Sequence, residues 1–282
     1  MTTLLQSTLS AARLAVDAIA YPCFLNSGKQ PWRFGYLTHK RRAICAGIDQ
    51  AVMQERQLPT GYGVGIDERV VEYPWLFSQL PSGPGLLLDA GSALNHGYLL
   101  HRSLVADKRV VIVTLAPEKF SHWRMGVGYL FDDLRSSILG DERFDFVVSI
   151  STIEHVGLDN TLLYTTDARL READSDGYVL AVREFRRVLR KGGVCFISVP
   201  FGRAVVRGWF QVFDLRMIER IVAEFEPATL SIDYFGYSAT GWQRCDPLSL
   251  ADATVFDVHT EHAPAPDLAA SSRGVACIKL VR

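Results

Sequence analysis

The sequence predicts an α/β protein built on a mainly parallel sheet with helices on both faces. Beyond residue 85, short apolar runs of strand length alternate with stretches of helical periodicity. The runs are apolar throughout, which is typical of strands covered on both faces. A Pro- and Gly-rich stretch at residues 81–85 separates this part of the chain from what precedes it. Alternating strands and helices indicate a doubly wound sheet with right-handed crossovers.

Seven strands and two long helices follow from these patterns. The strands are predicted near residues 86–88, 110–113, 127–131, 144–150, 194–199, 230–235 and 275–281. Apolar residues at helical spacing predict helices at residues 178–190 and 213–225. The charged stretch 170–177 and the Pro- and Ala-rich stretch 262–272 are expected to be surface segments.

The first 80 residues are predicted to form a helical extension packed on an α/β domain of residues 81–282. Helices are expected near residues 3–20, 38–55 and 68–80. The first of them would pack on the domain or pair two copies of the chain. A membrane-surface role is the weaker alternative for that helix, because its polar face lacks Lys and Arg. The basic turn at residues 39–42 is either a solvated helix face or a phosphate contact.

Composition excludes several classes of protein. The chain has 282 residues, 48% of them hydrophobic, and a formal net charge of -1. This balance is typical of a globular protein and argues against a general nucleic-acid binder. No apolar run has the length of a membrane span. The five cysteines are dispersed, without the spacing of a metal or redox site, which fits a reducing compartment. We therefore expect a cytoplasmic protein with no metal site.

The end of the first predicted strand is the first candidate for a ligand site. Asp89, Ala90 and Gly91 follow its apolar run directly. In open α/β sheets, ligands bind beyond the carboxyl ends of the strands. Glycine there lets the backbone approach a ligand closely, and an acid can hold a cationic or hydroxyl-bearing group. By itself, the segment is equally consistent with a simple strand-to-helix turn.

Four segments in order carry a resemblance to a known family. They are residues 86–97, 132–135, 144–156 and 184–193. The series resembles class I S-adenosylmethionine-dependent methyltransferases over residues 85–282. More loosely, it is similar to bacterial methyltransferase-like proteins associated with surface-sugar biosynthesis. The resemblance implies a Rossmann-like methyltransferase fold with seven strands, the last of them antiparallel between its neighbours. It also implies S-adenosylmethionine as cofactor.

The resemblance further implies a set of cofactor-binding residues. They follow the first four strands and comprise Asp89, Ala90, Gly91, Thr114, Asp133, Leu134, Ser149 and Ser151. The first three would lie under the cofactor, Asp133 near the adenine, and residues 149–152 beside the methionine part. Thr114 stands where the family usually has an acid that grips the ribose. A hydroxyl lacks the charge-assisted hydrogen bond of a carboxylate, which is about twice as strong. Cofactor affinity is therefore open.

Glu154 and His155 are the candidate catalytic residues, because they follow the fourth strand at the cofactor edge. Histidine is suited to taking a proton near neutral pH. Alternatively, Glu154 caps a helix or pairs with an arginine while His155 packs locally. The acceptor would be a small molecule or a glycan precursor. Arg203, Trp209 and Gln211 are candidates to bind it, although a solvated loop and core packing also explain them.

Three functions remain for comparison. The first is methyl transfer. The second is a binding or scaffold protein with a methyltransferase fold that has lost turnover, favoured by Thr114 and by the glycine-poor loop after the first strand. The third is a nicotinamide-dependent oxidoreductase. It is the weakest, because the G-x-G-x-x-G pattern and the acid closing the second strand are missing.

Overall fold

The computed structural model describes residues 19–118, 120–165, 167–261 and 263–282. The chain divides into two compact units. The smaller takes in the residues up to Ser78 together with Tyr237–Gln243 and Val255–Arg273, and the larger contains the remainder. The helix predicted at residues 3–20 falls almost wholly outside the described residues. The packing of residues 1–80 as an extension stays a prediction.

An eight-stranded sheet lies mainly in the larger unit, although residues 241–243 of its edge strand belong to the smaller unit. Its strands are β1 (Leu86–Ala90), β2 (Arg109–Thr114), β3 (Gly128–Phe131), β4 (Phe144–Ile150), β5 (Leu189–Pro200), β8 (Thr229–Ser238), β9 (Gly241–Arg244) and β10 (Gly274–Val281). They lie in the order β3-β2-β1-β4-β5-β10-β8-β9. Strands β1 to β5 are parallel to one another, and β10 is antiparallel to both β5 and β8. The predicted fold class is confirmed.

The predicted count of seven strands is wrong. The additional strand, β9, lies beside β8 at the edge of the sheet. Its four residues, Gly-Trp-Gln-Arg, form no apolar run. Edge strands are paired on one side only, so they need no continuous apolar pattern, and the sequence gives little sign of this one. A separate two-stranded ribbon, β6 (Val205–Val206) with β7 (Gln211–Val212), was also missed.

The helices of the larger unit agree with the two strong helical patterns. They are α4 (Gly97–Leu100), α5 (Ser103–Ala106), α6 (Thr161–Tyr164), α7 (Gly177–Val188) and α8 (Leu215–Phe225). The helix predicted to residue 190 ends at Val188. Strand β5 begins at Leu189, and its register shifts because residues 190–193 have no partner opposite them on β4. Gly192 has a φ of 73°, which a residue with a side chain rarely adopts.

Burial explains why the apolar runs form the inner strands. Leu88, Val147 and Ile197 are almost completely buried, and they pack with Phe185 of α7 and Phe225 of α8 in one core cluster. Each fully buried aliphatic or aromatic side chain contributes about 1.5–3 kcal/mol. The apolar stripes of α7 and α8 therefore fix the helices against the sheet.

The register of the parallel strands gathers the segments that follow them at one edge. Ala90 lies beside Val113, and Thr114 lies beside Phe131. The backbone N–H of Gly91 donates to Val113 at 2.8 Å, and that of Asp132 donates to the Thr114 carbonyl at 3.1 Å. The loops after β1, β2 and β3 thus begin at neighbouring positions.

The smaller unit is mainly helical. Helix α1 is described over residues 19–26. It is followed by α2 (Tyr36–Asp49), a 3-10 turn (Val52–Gln54) and α3 (Arg69–Gln79). The helix predicted at residues 38–55 is interrupted after Asp49, where Ala51 takes a left-handed φ of 51°. Phe24, Tyr36 and Ala270 form a small buried cluster. None of the described helices has the length and apolar character needed to cross a membrane.

Candidate functional site

A cavity of about 180 Å³ opens at the carboxyl edge of β1, β2 and β4. One water molecule needs only about 10–15 Å³ of such space, so the cavity has the size of a ligand site rather than a packing defect. Two groups of residues line it. The strand wall follows β1 to β4 and consists of Gly91, Thr114, Leu115, Asp133, Leu134, Arg135, Ser151 and Thr152. The 155–172 wall consists of His155, Val156, Gly157, Asn160, Leu163, Tyr164 and Glu172.

Gly91 is required by the close approach of two loops in the strand wall. Its φ is 109°, and a Cβ at this position would lie 2.1 Å from Thr152 Cγ2. No real Cβ contact is that short, so any side chain at residue 91 would displace Thr152. The absence of a side chain therefore shapes the cavity next to β1.

Thr114 presents a hydroxyl group that lacks a partner. The residue is 3% exposed and ends β2 on the cavity. Within the described parts of the chain, no group is hydrogen-bonded to its Oγ1. The Tyr164 hydroxyl faces it, but no hydrogen bond of ordinary length and angle joins the two. Because an unpaired buried hydroxyl costs about 1–3 kcal/mol, this atom is suited to bonding a ligand.

Asp133 is held as a carboxylate by Arg135. Partial burial alone would raise the pKa of Asp133, but hydrogen bonds from the Arg135 side chain and backbone outweigh burial and lower it. The guanidinium Nη2 lies 2.6 Å from Asp133 Oδ2 and 2.7 Å from Glu172 Oε1. Arg135 thus joins the strand wall to the 155–172 wall. It holds the two carboxylates of Asp133 and Glu172 beside the cavity.

Ser151 and Thr152 follow β4 in a tight turn. Ser151 has a φ of 38°, which is uncommon for a residue with a side chain. Its backbone N–H donates to the Ser198 carbonyl at 3.0 Å and to Ser198 Oγ at 3.1 Å. These bonds hold the turn against β5, so Ser151 and Thr152 line the cavity in a fixed position.

Three of the predicted cofactor residues lie behind the cavity. Asp89 is fully buried, and its carboxylate accepts hydrogen bonds from the backbone N–H groups of Ala93 at 3.0 Å and Leu94 at 2.8 Å. It holds the turn after β1 in shape. Ala90 and Ser149 are completely buried in β1 and β4. The structure therefore places these three behind the cavity lining, and direct contact of each with a cofactor stays a prediction.

His155 lines the cavity, whereas Glu154 lies behind it. The ring nitrogen Nδ1 lies 2.9 Å from the Trp209 carbonyl oxygen. A carbonyl oxygen only accepts, so Nδ1 carries the proton, and in the neutral ring the basic lone pair is on Nε2. Glu154 is 2% exposed, and its Oε1 lies 3.8 Å from His155 Nε2. Of the two predicted catalytic residues, His155 faces the cavity, and Glu154 lies behind it next to the His155 ring.

The three predicted acceptor residues have different surroundings. Trp209 is stacked on the His155 ring, with centroids 5.0 Å apart. Gln211 is buried, donates to the Ser175 carbonyl at 2.9 Å, and lines a second cavity with Tyr178, Arg216 and other residues. Arg203 is exposed and pairs with Asp252 at 2.8 Å. Trp209 therefore has a direct ring contact with His155, a residue that lines the first cavity.

Most residues of the 155–172 wall could not be identified as site residues from sequence patterns. Asn160 directly precedes the short helix α6, Leu163 and Tyr164 lie in that helix, and Glu172 lies in an irregular segment. Such segments have no periodicity to detect. The one available signal was the apolar triplet Leu162, Leu163 and Tyr164 in an otherwise polar stretch, which remains 43–57% exposed in the structure.

Comparisons with known proteins give structural neighbours only. No family model and no curated protein match this chain. A phosphoethanolamine N-methyltransferase 2 of Haemonchus contortus is 17% identical, with a TM-score of 0.39 over 55% of this chain. This chain spans 35% of the length of that enzyme.

Two further neighbours cover more of the chain. A methyltransferase of Methanosarcina mazei described as S-adenosylmethionine-dependent is 12% identical, with a TM-score of 0.44 over 73% of this chain and 96% of that one. The 1,6-didemethyltoxoflavin-N1-methyltransferase of Burkholderia thailandensis, solved with S-adenosylhomocysteine, is 14% identical. Its TM-score is 0.42 over 96% of this chain and 90% of that one.

Proposed function

We propose that this chain is an S-adenosylmethionine-dependent methyltransferase that binds its cofactor in the cavity at the edge of the sheet. The observation that carries the proposal is the composition of the strand wall. It brings together a glycine without room for a side chain, an unpaired buried hydroxyl and a carboxylate whose pKa is lowered by Arg135. These groups follow β1, β2 and β3, the edge at which open α/β sheets bind nucleotides.

Each group suits one part of the cofactor. Thr114 Oγ1 would bond a ribose hydroxyl, and Asp133 with Leu134 would hold the adenine. Gly91, Ser151 and Thr152 would lie beside the methionine part, where Gly91 leaves the backbone accessible. When bound, the cofactor supplies a methyl group activated by its sulfonium. The protein therefore has mainly to align the acceptor with that methyl group.

His155 would take the proton of the acceptor at Nε2. The Trp209 carbonyl fixes the ring in the tautomer that leaves Nε2 basic. Once protonated, the ring carries a positive charge 3.8 Å from Glu154 Oε1, and the buried carboxylate would stabilise it. The hydrogen bond and the stacked Trp209 ring together restrict ring rotation. Orientation and charge thus both favour His155 as a general base.

The acceptor we propose is a small molecule or a glycan precursor with a hydroxyl or amino group to methylate. Tyr164 and Trp209 offer aromatic faces near the base, and sugars commonly bind against such faces. A bacterial surface-sugar acceptor is the narrower version of this proposal. Cytoplasmic location and association through the N-terminal helix stay predictions.

Calorimetric titration with S-adenosylmethionine, S-adenosylhomocysteine and NAD tests the cofactor. We expect both sulfur compounds to bind at one site per chain and NAD to give no heat of binding. Binding of NAD alone would contradict the proposal. Methyl transfer to a panel of sugar nucleotides and small amines then tests turnover. Cofactor binding with no transfer to any acceptor favours the scaffold alternative.

A further inference from the structure

The first 48 residues carry a net positive charge, and the rest of the chain carries a net negative charge. Residues 1–48 contain six Lys and Arg and a single acid, Asp17, so their net charge is +5, whereas the remaining residues carry -6. No Asp or Glu occurs from residue 18 to residue 48. Such asymmetry in a chain with a net charge near zero indicates a local surface for an anionic partner.

Three of these cations are exposed and have no acidic partner. Lys29, Arg33 and Arg42 are all exposed, and no carboxylate in the described ranges pairs with any of them. Lys40 is different, because its Nζ lies 2.6 Å from the buried Asp67 carboxylate. The Arg42 guanidinium lies 4.1 Å from the Tyr21 ring centroid, a cation–π contact that leaves its charge available.

Large apolar side chains are exposed in the same segment. Trp32, Phe34 and Leu37 are 40%, 63% and 68% exposed. Phe34 precedes Gly35, the residue that caps α2, and Leu37 lies in the first turn of that helix, so both exposed side chains belong to the start of α2. Trp32 has a φ of 62°, an unusual value for a bulky residue.

Contacts hold Trp32 in this conformation. Its Nε1 donates to the Ala270 carbonyl at 2.7 Å, and its ring lies 4.7 Å from that of Tyr36. These contacts fix the Trp32 ring in a position that leaves 40% of the residue exposed. We name the surface of residues 29–42 the basic apolar patch.

We propose that the basic apolar patch docks on the anionic surface of a lipid bilayer. Unpaired Lys and Arg are attracted to acidic headgroups, and exposed aromatic and aliphatic side chains enter the boundary between headgroups and acyl chains. Nucleic acid offers the same negative charge, and its bases stack on aromatic rings. Nucleic acid has no apolar region that would bury Leu37, the most exposed of the three apolar side chains. The proposal is independent of methyl transfer.

Vesicle co-sedimentation of the full chain tests the charge requirement. We expect binding to phosphatidylcholine vesicles that contain phosphatidylglycerol, weaker binding at higher salt, and none to pure phosphatidylcholine. The triple variant Lys29→Gln, Arg33→Gln, Arg42→Gln should bind roughly 100-fold more weakly, at about 1 kcal/mol per cation. Its matched control is Arg109→Gln, Arg143→Gln, Lys191→Gln, which removes three exposed cations of the larger unit. The control should bind like the wild type.

A second pair of variants tests the apolar requirement. Phe34→Ser with Leu37→Ser should weaken vesicle binding by at least roughly tenfold, because each side chain loses apolar area that the bilayer would bury. Ile138→Ser with Leu248→Ser is the control, since these side chains are 81% and 72% exposed in the larger unit. Thermal melting shows whether each variant is folded.

Three results would overturn the proposal. The first is equal loss of binding in the patch variants and their matched controls. The second is equal binding of the wild type to neutral and anionic vesicles. The third is binding of a single-stranded oligonucleotide by the patch with no binding to anionic vesicles.

Discussion

The two walls of the cavity differ in how they are held. The strand wall continues strands buried on both faces, and backbone hydrogen bonds such as Gly91 N–H to Val113 fix its position. The 155–172 wall consists of turns and a four-residue helix with exposed Leu163 and Tyr164. Loops near a rigid sheet commonly carry specificity while the sheet sets the common site. We therefore propose that the cofactor binds the strand wall and the acceptor the 155–172 wall.

The strongest test of this division is Gly91→Ala. The new Cβ would lie 2.1 Å from Thr152 Cγ2, so the two loops of the strand wall must separate. We expect cofactor affinity to fall by roughly 100-fold or more, since displacements of about 1 Å can have effects of that size. Calorimetric titration with S-adenosylhomocysteine measures it.

Gly83→Ala is the matched control for this variant. Gly83 has a similar positive φ of 89°, but nothing lies within 4 Å of a Cβ there. It should lose about 1–2 kcal/mol of stability from backbone strain, with cofactor affinity unchanged. If both variants bind the cofactor equally well, the close contact of the two loops does not shape the site.

His155→Ala should lower turnover without changing cofactor affinity, which distinguishes the roles of the two walls. Turnover on the acceptor should fall by roughly 100-fold, the usual contribution of a general base, while cofactor affinity stays the same. The control is His101→Ala, because His101 Nδ1 also lies close to a carbonyl, Gly97 O, at 2.6 Å but does not line the cavity. Full activity of the His155 variant would remove its catalytic role.

Thr114→Val tests the unpaired hydroxyl. Loss of one neutral hydrogen bond to the ribose should weaken cofactor binding by about five- to tenfold, whereas the stability of the free protein should stay equal or rise. Ser149→Ala removes another buried hydroxyl without a partner among the described residues, one that does not line the cavity. Weaker cofactor binding by the Ser149 variant would place the ligand differently.

The contrast between the walls also explains what the sequence could predict. Gly91, Thr114, Asp133, Leu134 and Ser151 line one cavity, as the sequence could indicate, because strand ends converge at one edge whenever a parallel sheet forms. Burial of Asp89 could not be foreseen, since an acid after a strand can either meet a ligand or hold its own turn. The structure shows that Asp89 holds its own turn through Ala93 and Leu94, and its contact with a cofactor stays a prediction.

Sequence patterns predicted little of the 155–172 wall. Long-range pairs such as Arg135 with Glu172 depend on how irregular segments fold back, which no local periodicity records. For the same reason, the ion pair of Arg203 with Asp252 at the surface could not be predicted, and acceptor binding by Arg203 stays a prediction. Strand β9 and the β6–β7 ribbon escaped detection because they are short.

Arg135→Gln should have the smallest effect, visible mainly through pH. In the wild type, the Asp133 pKa is lowered, so its carboxylate stays ionised and cofactor affinity should be flat from about pH 5 to 8. In the variant the guanidinium bonds are lost and the backbone N–H of residue 135 still donates to Asp133, so burial is less completely offset and the Asp133 pKa rises above its wild-type value. Protonation then removes a hydrogen-bond acceptor, so affinity should fall a few-fold as pH decreases toward 5. A flat profile in the variant contradicts this role.

The most direct measurement is a crystal structure with S-adenosylhomocysteine. The account predicts its adenine beside Asp133 and Leu134, its ribose bonded to Thr114 Oγ1, and its sulfur facing His155 across an open space for the acceptor. The 155–172 wall should contact that space rather than the adenosine. A complex with the ligand bound outside this cavity, or with its adenosine held mainly by the 155–172 wall, would contradict the division between the two walls.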